Sequence, residues 1–84
     1  MSDESSFVAA GQEQGEIIAA YLIKRMKEER LTPAEGVNVV ATHIEEQAEA
    51  MLAAGTGRDQ VPEWLKGLWE IVAARISEFT DRQN

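Results

Sequence analysis

The chain of 84 residues is 44% apolar and contains no cysteine, a composition that fits one small globular domain and excludes disulfide bonds and thiolate chemistry. Its formal net charge of −7 argues against a nucleic-acid binder that relies on a positive field. The first five residues are acidic where a secretory signal would be basic, and no apolar run is long enough for a membrane span. We therefore expect a cytoplasmic protein without membrane contact.

The first predicted helix covers residues 7 to 30 and follows a disordered acidic tail at residues 1–6. Its inward stripe, at helical spacing, consists of Phe7, Gly11, Gly15, Ile18, Leu22 and Met26. The two glycines allow two interpretations: a frayed entry, because glycine weakens a helix interior, or a close approach of another helix. We favour the frayed entry, in which case the helix starts as late as Gln14.

The second predicted helix covers residues 33 to 54 and has clear start and stop signals. Thr32 and Glu35 form a capping box around Pro33 at the first helical position. Gly55 follows as a residue suited to the left-handed conformation that ends many helices. The apolar stripe between these signals consists of Val37, Val40, Ala41, Ile44, Ala48, Met51 and Leu52. This helix must pack its stripe against the rest of the chain.

The third predicted helix covers residues 61 to 80, and residues 81–84 are expected to fray. Its inward stripe consists of Val61, Leu65, Leu68, Val72, Ile76 and Phe79. Three amphipathic helices joined by short turns predict an all-α fold, a three-helix antiparallel bundle in a single domain. Because so short a chain buries a small core, homodimerisation is expected to complete it.

Several apolar residues are left over once the three stripes are packed together. Trp64 and Trp69 are five positions apart, about 140° around a helix, so one contact does not easily bury both. Ile17 and Tyr21 on the first helix and Ile71 on the third also lie beside the stripes. Aromatic and large aliphatic residues left on a surface are typical of binding sites. The predicted partner-binding residues are Ile17, Tyr21, Trp64, Trp69 and Ile71, and we expect the homodimer contact to include at least one of the tryptophans.

No combination of residues predicts catalysis or a cofactor. His43 and Glu46 could offer two metal ligands on one helix turn, but the other acidic residues nearby are expected to face solvent. We therefore predict a small acidic, non-enzymatic adaptor or inhibitor domain that works through a protein partner and does not bind nucleic acid directly. Two alternatives remain. The chain could be an acidic mimic of nucleic acid, such as an anti-host regulator from a mobile element, or it could have a metal-dependent activity at His43 and Glu46.

Overall fold

The computed structural model describes residues 3–83, which form three α-helices and no strand. The helices are α1 (Asp3–Glu29), α2 (Pro33–Ala53) and α3 (Gln60–Gln83). Contacts between Val8 and Gly67 and between Gly15 and Ile71 show that α1 and α3 run in the same direction. The turn at residues 30–32 reverses the chain, so α2 runs antiparallel to both. The predicted all-α three-helix bundle is confirmed.

The first and third helices are longer than predicted. Helix α1 begins at Asp3, inside the predicted tail, and α3 continues to Gln83 beyond the predicted end at residue 80. Helix α1 gains its extra turn because Phe7 and Val8 are half-buried and hold the start of the helix in place. Residues 1, 2 and 84 lie outside the described part of the chain.

Glycine residues bring α1 and α3 into backbone contact. A Cβ atom at Gly11 would collide with the carbonyl oxygen of Trp64, and one at Gly67 would collide with the carbonyl oxygen of Val8. At Gly15, a Cβ atom would lie 2.7 Å from a backbone oxygen of α3. The frayed entry favoured from sequence is therefore wrong. Close packing against α3 compensates for the low helix propensity of these glycines, and α1 is continuous through them.

The ends of α2 follow the local signals in the sequence. The Thr32 hydroxyl accepts a hydrogen bond from the Glu35 backbone at 3.2 Å, and the Glu35 carboxylate accepts one from the Thr32 backbone at 2.9 Å. At the other end, Gly55 has a φ of 105°. The Gly55 N–H donates to the Leu52 carbonyl, and the Thr56 N–H donates to the Met51 carbonyl, as in a Schellman motif. The predicted capping box is confirmed.

Removing the capping hydroxyl is expected to weaken the whole fold by a modest amount. We predict that Thr32→Ala lowers the free energy of unfolding by about 0.5–2 kcal/mol and that Thr32→Ser keeps most of it. The capping hydrogen bonds also lower the pKa of Glu35. The ionised Glu35 carboxylate therefore makes its full contribution to the stability of the fold above the ordinary carboxyl pKa. This contribution is lost as the pH falls through the lowered pKa of Glu35. Urea unfolding at neutral pH measures the effect of Thr32→Ala, and at neutral and acidic pH it should show the gap between wild type and Glu35→Gln shrinking on acidification, because that variant has no carboxylate to titrate.

The core lies mainly between α1 and α3, with α2 packed across them. The large side chains with less than 2% exposure are Leu22, Ile44, Leu68 and Val72. Leu52, predicted to lie in the stripe of α2, is instead 42% exposed. Its neighbour Met51 packs against the core, and adjacent helical residues point about 100° apart. Helix α2 approaches α1 and α3 less closely than these two approach each other, so a groove runs along each of its sides.

Candidate functional site

The first groove lies between α1 and α2 and has a volume of about 470 Å³. We call it the α1–α2 groove. It is lined by Gln14, Ile17, Ile18, Tyr21, Arg25, Val39, Val40 and His43. The core residues Ile18 and Val40 form its floor because both are buried. The groove is therefore an apolar surface with polar groups only at its edges.

Large exposed hydrophobic side chains concentrate at this groove. Ile17 is 64% exposed, Tyr21 50% and Val39 36%. Within the described residues, Leu52 is the one other large hydrophobic side chain in this class, and it does not line the groove. Single exposed apolar residues are common on protein surfaces, whereas a group on one concave surface indicates an interaction site.

Arg25 provides a positive charge at one side of the α1–α2 groove. Its Nε atom donates to the Glu29 carboxylate at 2.6 Å, and one Nη atom donates to the Tyr21 hydroxyl at 3.1 Å. Its guanidinium carbon also lies 5.8 Å from the centre of the Tyr21 ring, within the range of a cation–π contact. The Glu29 carboxylate raises the pKa of Arg25, which in turn lowers the pKa of Glu29. Both groups therefore stay ionised at neutral pH, and Arg25 holds the Tyr21 ring in place.

One ridge of α1 contains the two most exposed apolar residues between two opposite charges. Glu13, Ile17, Tyr21 and Arg25 follow each other at intervals of four residues, and such residues are neighbours on a helix surface. Glu13 is itself exposed. We call these four residues the α1 ridge. Along the helix, its residues are acidic, aliphatic, aromatic and basic in that order.

The residues predicted to bind a partner do not form one surface. Ile17 and Tyr21 lie together in the α1–α2 groove. The expectation that Trp64 stays uncovered is wrong, because it is 7% exposed and belongs to the core cluster. Trp69 is half-buried beside α2, and Ile71 is half-buried near Gly15 on the α1–α3 side. The backbone carbonyl of Trp64 lies against Gly11 of α1, and its side chain belongs to the core between the helices.

Sequence reasoning missed Val39 as part of the exposed apolar surface. It lies next to Val40, which belongs to the core stripe, and four residues before His43. Two adjacent valines on an amphipathic helix do not fit a narrow stripe, because they point about 100° apart. The adjacent residues Val39 and Val40 therefore indicate, in the sequence itself, that α2 presents apolar surface on more than one side.

The second groove lies between α2 and α3 and has a volume of about 370 Å³. We call it the α2–α3 groove. Its lining consists of Ala41, Ile44, Glu45, Ala48, Glu49, Leu65 and Trp69. Both carboxylates are exposed, and the Trp69 side chain is half-buried. The two grooves therefore differ in charge: carboxylates line this one, and a guanidinium lines the α1–α2 groove.

The described part of the chain offers little support for a metal centre. His43 lines the α1–α2 groove rather than a polar cavity. No group of three or more potential ligands, taken from His, Cys, Asp and Glu, lies together among the described residues. A metal bound by His43 and Glu46 would have to recruit its other ligands from elsewhere.

None of the described helices combines the length and the apolar character needed to cross a membrane. Comparison of the chain with protein families, with curated proteins and with solved structures gave no match.

Proposed function

We propose that this chain is a non-enzymatic protein-interaction domain that assembles as a homodimer through the α1–α2 groove and acts through a protein partner. The observation that carries this proposal is the exposure of Ile17, Tyr21 and Val39 around one apolar groove. Burying an aliphatic or aromatic side chain contributes about 1.5–3 kcal/mol. Covering three of them therefore favours association, and a second copy of the chain supplies a matching surface.

The α1 ridge is self-complementary under two-fold symmetry. If two copies pack their first helices antiparallel at the level of Ala19, Ile17 of one copy meets Tyr21 of the other. The same axis brings Glu13 opposite Arg25, and it does so twice because the contact is symmetric. Packing of two helices along residues spaced by four is the commonest arrangement in globular proteins. In the proposed contact, an apolar centre lies between two pairs of opposite charge.

This contact also limits the repulsion between two acidic chains. Each copy has a formal charge of −7, but no carboxylate lines the α1–α2 groove. Arg25 already binds Glu29 within its own chain, yet a guanidinium carries five N–H donors and can bind a second carboxylate. The sequence predicted a contact that includes at least one of Trp64 and Trp69. The proposed contact includes neither, because Trp64 lies in the core and Trp69 lines the α2–α3 groove.

A charge-swap series tests the proposed dimer. Glu13→Arg places two cations opposite each other at both ends of the contact, and Arg25→Glu places two carboxylates there. We expect each single change to weaken dimerisation by about tenfold or more. The double variant Glu13→Arg with Arg25→Glu restores the pairing with unchanged net charge and should return to within about threefold of wild type. Sedimentation equilibrium measures all four proteins.

Two matched replacements of exposed apolar residues distinguish a contact through the groove from a general effect of surface hydrophobicity on association. Ile17→Gln should weaken dimerisation, whereas Leu52→Gln removes another large exposed hydrophobic side chain, outside the groove, and should leave dimerisation unchanged. A wild-type mass that stays at 9.3 kDa up to about 0.5 mM protein would overturn the dimer. A double charge swap that associates no better than the single changes would overturn the proposed antiparallel geometry.

A further inference from the structure

The α2–α3 groove combines an apolar floor with a charge of one sign. Ile44, Ala48 and Leu65 supply the apolar lining, and Glu45 and Glu49 line the groove from α2. Residues 33–53 contain four glutamates and neither lysine nor arginine. The nearest cation in the sequence of α3, Lys66, does not line the groove. An occupant of this groove therefore meets two carboxylates, and no lysine or arginine is among the lining residues.

Trp69 adds an aromatic surface to the same groove. Its ring is half-buried and is fixed by packing against the core. The face of a tryptophan ring attracts lysine and arginine side chains, and tryptophan is enriched among the residues that dominate binding energy at interfaces. The groove therefore offers a cationic side chain both a tryptophan ring and carboxylates.

The charge of the groove decides between the possible occupants. A second copy would bring its own Glu45 and Glu49 into the contact, so four carboxylates would face each other. Nucleic acid and anionic lipid surfaces are repelled for the same reason. A cationic amphipathic helix fits both the apolar floor and the negative charge of the groove. Its apolar side chains cover the floor, and its lysines or arginines pair with the carboxylates.

We propose that the α2–α3 groove binds a basic amphipathic helix of another protein, with Trp69, Glu45 and Glu49 as the residues that select it. The lining positions on α2 run from Ala41 to Glu49, more than two helical turns, so the groove matches a bound segment of a few turns. This inference goes beyond the proposed dimer and uses another surface, so either one can fail without the other.

Titration with a defined peptide tests the inference. The probe is an amidated peptide of about 14 residues with leucines at positions i, i+3, i+4 and i+7 and lysines elsewhere. The control peptide replaces every lysine by glutamate. We expect calorimetry to detect binding of the lysine peptide and none of the glutamate peptide. Affinity should fall by about tenfold or more between about 0.02 M and 0.3 M salt, because exposed charges are screened.

Matched charge variants locate the binding surface. Glu45→Gln with Glu49→Gln removes two carboxylates from the groove, and we expect the affinity to fall by about tenfold. Glu28→Gln with Asp59→Asn changes the net charge equally at exposed positions outside the groove, and should leave the affinity within about twofold. Equal losses in the two pairs would show attraction by net charge alone and would overturn the site. Failure of the lysine peptide to bind wild type would overturn it as well.

Discussion

Replacing Gly11 by alanine is expected to destabilise the protein, although alanine is the better helix former. In an isolated helix this change would stabilise by about 1 kcal/mol. Here the added methyl group would collide with the backbone carbonyl of Trp64. Backbone atoms cannot rotate away, so α1 and α3 must separate, and overpacking of this kind costs typically about 1–3 kcal/mol. After the gain of about 1 kcal/mol in helix propensity is subtracted, we expect a net loss of up to about 2 kcal/mol and a Tm lower by up to about 10 °C, measured by urea and thermal unfolding.

Gly36 provides a matched control for this prediction. It is also buried in a helix, but a Cβ atom there would meet side-chain atoms, 2.7 Å from the Leu22 Cδ1 atom and 3.1 Å from the Met26 Cγ atom. Flexible side chains can adjust, so Gly36→Ala should change the stability by less than about 1 kcal/mol. Gly67→Ala, which meets the backbone of Val8, should behave like Gly11→Ala. Equal effects at Gly11 and Gly36 would contradict the close backbone contact between α1 and α3.

Trp64 is expected to stabilise the core, whereas Trp69 is expected mainly to bind the partner helix. Trp64 is 7% exposed and lies in the core, so Trp64→Ala should lower the free energy of unfolding by about 3–5 kcal/mol. Trp69 is half-buried in the α2–α3 groove, and Trp69→Ala should cost about 1–2 kcal/mol while abolishing binding of the lysine peptide. Circular dichroism in a urea gradient measures both stabilities without depending on tryptophan fluorescence.

A milder variant keeps this comparison informative if Trp64→Ala does not fold. Trp64→Phe keeps an aromatic ring in the core and leaves Trp69 as the remaining tryptophan. Its fluorescence should then shift to shorter wavelength when the lysine peptide covers the ring. A larger loss of stability from Trp69→Ala than from Trp64→Ala would contradict the assignment of Trp64 to the core.

Features that depend on neighbouring residues in the chain were predictable from the sequence. The capping box at Thr32 and Glu35 and the glycine at position 55 act within one helical turn, and both are present as predicted. The apolar stripes also identified three helices, because helical periodicity is a property of each segment alone. The exposure of Ile17 and Tyr21 follows from the same periodicity, since both lie beside the stripe of α1.

Features that depend on the distance between helices were not predictable in this way. Gly11 and Gly15 are compatible with a weak helix or with close packing, and only the presence of α3 beside them decides between the two. The burial of Trp64 likewise depends on how the helices pack, and the helical projection of α3 alone left this residue on a flank. The grooves beside α2 arise because α2 packs less closely than α3 does against α1, and no local pattern encodes this difference.

Two-dimensional ¹⁵N–¹H NMR tests most directly whether the two grooves are separate binding surfaces. One series of spectra is recorded as the protein is diluted, and a second as the lysine peptide is added. Dilution should shift the amide signals of residues 13–25 on α1 and leave those of residues 65–69 on α3 in place. The peptide should shift residues 44–49 and 65–69 and leave residues 13–25 unchanged. If dilution and peptide shift the same amides, or if neither shifts any, the two grooves do not have the separate roles proposed for them.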